Sequence, residues 1–161
     1  MAYSQPADWS DFQALLGDWA GEGRGGPGQG SGAFSFQPDL DGKVLIRKNH
    51  AEYPAMKDHP AAVHDDLMIM YRDQPDAQPH AIYFDNEGHV IRYDVATPAP
   101  GGPIVFLSAP QKGAPQYRLT YTPVEGGRLK IKFEIAPPGE RRQFAMYIDA
   151  APHRVSNSRA P

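Results

Sequence analysis

The chain has 161 residues, 40% hydrophobic and 22% charged, which suits one globular core and is short for two. A net charge of -3 with no lysine–arginine stripe gives no footprint for nucleic acid, and no apolar run is long enough to span a membrane. The absence of cysteine excludes disulfides, thiolate metal sites and a cysteine nucleophile.

Glycine and proline are abundant, at 16 and 17 residues, and they sit between short apolar runs. That is the distribution of many turns. Residues 1–8 read as a loose tail, without the basic-then-apolar pattern of a signal peptide, and a cytoplasmic location is expected. Residues 9–16 read as one or two helical turns, capped by Ser10 or Asp11, with Phe12, Leu15 and Leu16 on one face and Gly17 ending them.

From there on, alternation and turn punctuation predict about ten strands. They cover residues 18–24, 32–37, 43–53, 67–72, 80–85, 89–95, 104–108, 117–122, 128–136 and 143–149. Tight turns at Leu40-Asp41-Gly42, Asn86-Glu87-Gly88, Glu125-Gly126-Gly127 and Pro137-Pro138-Gly139 supply the positive φ that hairpins need. Short gaps favour an up-and-down antiparallel meander, and a sheet of this width curls until it closes. The expected fold is all-β, an up-and-down antiparallel barrel over residues 9–150 with a short N-terminal helix, followed by a tail over 151–161. A β-sandwich is the rival, with residues 54–66 as its one candidate cross-connection.

Leu129, Ile131, Phe133 and Ile135 share one strand face, as do Tyr117, Leu119 and Tyr121, and Phe144, Met146 and Ile148. These faces are expected to point inward. Residues 67–70 and 104–107 are apolar on both faces. Their outward side chains are open to cover by the N-terminal helix or by a second copy in a homodimer.

The segment Leu15-Leu16-Gly17-Asp18-Trp19-Ala20-Gly21-Glu22-Gly23 carries a Gly-x-Trp opening a strand after a short helix. It resembles the opening of calycin-superfamily barrels: lipocalins, fatty-acid-binding proteins and, most closely, nitrobindin-like bacterial domains. The resemblance implies that Trp19, after Gly17, closes one barrel end and that a basic residue, Arg154 or Arg142, packs over its ring. The run over 25–30 is too short for the two helices that fatty-acid-binding proteins insert after their first strand. Nitrobindin-type barrels bind haem through a histidine near the C-terminal end, so the resemblance makes His153 the candidate haem ligand. No cofactor is otherwise expected.

A barrel of this size can enclose a small, mainly apolar ligand oriented by a few polar groups. The expected contacts are Arg47, Tyr83, Arg92, Tyr93, Tyr121 and Phe133. Arg47 can hold a carboxylate by paired hydrogen bonds if it points inward, and Tyr83 and Tyr93 bring hydroxyls on apolar rings. The alternative is an enzyme whose polar site is built from Asp85, His89 and Arg92, with Glu134 a further acid–base candidate. No nucleophile elbow, phosphate loop or paired-carboxylate motif supports a particular reaction. His59 and His64-Asp65-Asp66 are placed in a loop, fit no metal spacing, and no metal is expected.

Overall fold

The computed structural model describes residues 7–140 and 142–155. Ten strands and a two-residue closing strand follow a short 3-10 helix over Ser10–Leu15. The strands are β1 (Gly17–Gly25), β2 (Gly28–Asp39), β3 (Val44–Tyr53), β4 (Ala62–Tyr71), β5 (His80–Asp85), β6 (Val90–Val95), β7 (Ile104–Ser108), β8 (Gln116–Val124), β9 (Arg128–Ala136), β10 (Ala145–Ala150) and β11 (His153–Arg154). From β1 to β10 each strand pairs antiparallel with the next, and β1 closes the circle against β10 and β11. The fold is therefore the closed up-and-down barrel, and the sandwich is excluded.

Four local expectations change. The segment over 54–66 is no crossover, because β4 begins at Ala62 and pairs with β3 through ten consecutive residues. His64, Asp65 and Asp66 thus belong to a strand. The helix takes no cap from Ser10 or Asp11; the Ser10 amide donates instead to the Asp8 carboxylate at 2.9 Å. In β10 the register shifts between Met146 and Ile148. This bulge turns Met146 outward, 59% exposed, while Ile148 still faces the interior, so Phe144, Met146 and Ile148 do not share a face. Finally, the barrel runs past residue 150. Proline has no N–H for a ladder, and Pro152 interrupts the last strand. The chain then resumes pairing as β11, with Trp19 opposite Arg154 and Ala20 opposite His153.

One barrel end is sealed. Phe12, Leu15, Phe36, Leu45, Met70, Val95 and Phe106 have no exposed surface, and Trp19 has 1%. The Trp19 Nε1–H donates to the Leu15 carbonyl at 2.8 Å, and its ring stacks on Phe34 at 6.1 Å. The Arg154 guanidinium lies 4.4 Å from the Trp19 ring centroid, the cation–π cover expected of it. Arg142 sits instead in the turn before β10, with φ of 70°. Gly17 has φ of +113°, a conformation that favours glycine, and the absent Cβ leaves room for the Arg154 guanidinium.

The outer face of β4 to β7 keeps apolar side chains in solvent, with Phe84 39%, Val90 57% and Leu107 38% exposed. The N-terminal helix instead buries Phe12 and Leu15 in the core and hydrogen-bonds Trp9 to the Gly42 carbonyl at 2.8 Å.

Candidate functional site

Above the Trp19 plug the barrel is hollow. A cavity of about 410 Å³ reaches up to the loops at the opposite end, where Pro27, Tyr53, Ala62 and Glu87 border its mouth. Its two walls differ in chemistry. Tyr117 and Leu119 from β8, Ile131, Phe133 and Ile135 from β9, and Ile148 from β10 make one wall. The clean alternation of β8 and β9 dictates this, since every second residue is large and apolar. Tyr117 and Phe133 stack at 5.8 Å with their planes 8° apart, and Tyr147 meets Phe133 edge-on at 6.1 Å.

The facing wall comes from β3 to β6 and is polar. Alternation puts Arg47 and Asn49, His64 and Asp66, and Tyr83 and Asp85 on the inward face, two from each of three neighbouring strands. They form one hydrogen-bonded chain. Arg47 pairs with Asp66, and Asn49 Nδ2 donates to the same carboxylate at 2.9 Å. His64 Nε2 lies 2.9 Å from the Tyr83 hydroxyl and 3.4 Å from Asp66, while its Nδ1 lies 2.9 Å from Glu87. Tyr83 donates onward to Asp85 at 3.2 Å. Asp85 also accepts the backbone amides of Glu87 and His89 at 3.0 and 2.9 Å, and its Oδ2 lies 2.9 Å from His89 Nδ1.

These contacts set the protonation states. Asp66 and then Glu87 hold the His64 imidazolium, against the pull of burial, up to about 9. Burial disfavours the Arg47 charge, but Asp66 together with Tyr121, Tyr83 and Tyr93 outweighs it, and the guanidinium is held more firmly protonated than usual. Burial also draws Asp85 upward, and the amide and imidazole of His89 overrule it, leaving the carboxyl below its ordinary range. Burial, helped by Asp66 and Asp85, raises Tyr83, and burial raises Tyr93, so both stay neutral phenols.

Since His64 is raised above 6.5 in the folded state, it contributes stability in full below pH 6.5 and loses it as pH rises through about 9. The gap in urea midpoint between the native protein and His64→Gln is therefore expected to be widest at the acidic side of that window and to close above it. A gap that widens toward alkaline pH would reverse the assignment of charge.

Of the expected ligand contacts, Arg47, Tyr83, Tyr93 and Phe133 line the cavity. Tyr121 lies below it, fully buried among Phe34, Phe36 and Phe106. Its hydroxyl, pushed up to about 12 by burial, has no hydrogen-bond partner among the described residues, and neither has Arg47 Nε. Arg92 is corrected: it alternates with Ile91 and Tyr93, so it lies exposed on the outside of β6. Asp85 and His89 do face the cavity, but without Arg92. Glu134 is also remote, forming a paired hydrogen bond with Arg118 at 2.8 and 3.0 Å. His153 is exposed beside inward-facing Pro152. It pairs opposite Ala20 on the outward side of β11, so haem ligation through His153 does not fit this cavity.

His64, Asp66, Asn49 and Tyr147 were not anticipated as cavity residues. Asp66 and His64 carried a usable signal, because they continue the two-residue period of Met70 and Met68 toward the mouth.

The fold and cavity together define a calycin-like barrel with a buried aromatic interior. Among solved structures, the crystal structure of Rv2717c from M. tuberculosis matches with a TM-score of 0.64 and 16% sequence identity, covering 96% of this chain and 100% of that one. The likeness is one of fold. No protein-family model matches the chain, and no curated protein matches it in sequence.

Proposed function

We propose that the protein is a small-molecule container that holds an apolar or amphipathic ligand inside the barrel. The observation that carries this reading is the two-sided cavity of about 410 Å³, open at one end and stoppered by Trp19 at the other. Its volume lies within the range of small-ligand pockets, and stacked rings facing a few fixed polar groups are what such pockets offer. An apolar body gains by leaving water against Leu119, Ile131 and Phe133. Its polar end meets the fixed polar groups of the facing wall, which a chain of hydrogen bonds through Asp66, His64 and Tyr83 holds in place from Arg47 inside to Glu87 at the mouth.

Nile red, a neutral apolar dye, is expected to bind the native protein with a blue-shifted emission. Ile131→Trp fills the space beside Phe133 and should weaken that binding by about tenfold or more, a loss of roughly 1.4 kcal/mol. Native mass spectrometry of protein purified from cells checks for a retained ligand. A bare-chain mass together with no dye binding sinks the reading.

A further inference from the structure

The ligand's charge can be read from what the cavity walls have already spent. Three cationic or basic side chains line the cavity: Arg47, His64 and His89. Each faces a carboxylate of the protein: Arg47 pairs with Asp66, His64 with Glu87 and Asp66, and His89 with Asp85. Arg47 retains one unpaired N–H at Nε, but its charge is matched. A carboxylate ligand placed there would set a second anion against a single cation, close to Asp66.

Of the cavity carboxylates Asp66, Asp85 and Glu87, Glu87 alone reaches solvent at the mouth, its side chain 58% exposed against 4% for each of the others. The mouth half of the cavity is also ringed by aromatic faces from Tyr53, Tyr117, Phe133 and Tyr147. Such faces carry the negative end of the ring quadrupole and attract cations, most strongly where water is excluded.

Building on the container reading, we propose that the ligand is an organic cation: an ammonium head seated at the mouth, on an apolar or aromatic body. The head lies among Tyr117, Phe133, Tyr147 and the Glu87 carboxylate, away from the guanidinium of Arg47. The body runs inward along Leu119 and Ile131.

The test is calorimetric titration at neutral pH with three probes that share one skeleton: phenylbutylamine, phenylbutanol and phenylbutyrate. The amine is expected to bind about tenfold tighter than the alcohol, with the acid weakest. Glu87 lies in the exposed β5–β6 turn, so Glu87→Gln should keep the fold while narrowing the amine–alcohol gap by about threefold. Phe133→Leu should narrow it too, with the alcohol little changed. Equal or tighter binding of the alcohol or the acid overturns the cation proposal and leaves the container intact. So does binding of Nile red without any of the three probes. An amine preference untouched by both variants overturns the placement of the head. Refusal of Nile red and all three probes removes the container reading and this one with it.

Discussion

Asp66→Ala is expected to destabilise the fold by about 3–5 kcal/mol, the cost of leaving a buried charge without its partner. The side chains of Arg47 and Asp66 are only 9% and 4% exposed, so the pair is largely withdrawn from bulk water. Asn49 and His64 lose an acceptor in the same step. The companion is the double variant Arg47→Met with Asp66→Leu, which removes both charges and restores volume. It should recover most of the loss, because exchanging a buried ion pair for apolar side chains is often close to neutral. Urea unfolding of the native protein, the single and the double variant decides the matter. A double variant no more stable than Asp66→Ala would show that an unpaired guanidinium is not the cause.

Trp19→Ala carries the second large effect. Removing a buried ring of this size costs about 3–5 kcal/mol through lost transfer energy and the cavity left behind. For a chain of this length that corresponds to a fall in melting temperature of roughly 10 °C. The variant also leaves the Leu15 carbonyl without its donor, Phe34 without its stacking partner and Arg154 without the face it covers. Trp19→Phe keeps a ring but not the N–H, and should cost about 1–2 kcal/mol more than a pure volume change. Differential scanning calorimetry separates the two. A Trp19→Ala melting temperature within a degree or two of the native value, on the scale of about 2–4 °C per kcal/mol, would mean that the plug is not stabilising.

The barrel was legible because β8 and β9 alternate without interruption and because Gly17 and Trp19 open the first strand in a recognisable way. The polar wall was harder for a physical reason. Alternation identifies an inward face by its apolar residues, and a cavity wall that points polar groups inward erases that contrast. His64-Asp65-Asp66 therefore reads like a solvated turn, although Asp66 lies in register between Asn49 and Asp85. Arg92 failed in the opposite sense. Its neighbours Ile91 and Tyr93 already occupy the inward positions, which left it outside. The β10 bulge could not be read at all, since one inserted residue shifts the alternation with no mark in composition.

The seam between β1 and the chain's last strands has a consequence for synthesis. β1 meets Ala150, His153 and Arg154, partners separated from it by nearly the whole barrel. A nascent chain can add hairpins in order from β1 through β9, but the circle stays open until residue 154 has left the ribosome. Until then both rims of a curled sheet present unpaired N–H and C=O groups, the condition that invites intermolecular pairing. Completion of this fold is thus tied to the emergence of residues 148–154. The run of facing glycines, Gly21 with Gly32, Gly23 with Gly30 and Gly25 with Gly28, sits on the rim that waits longest. A strand so poor in side chains, and in apolar β-formers above all, gives a neighbouring chain little to grip.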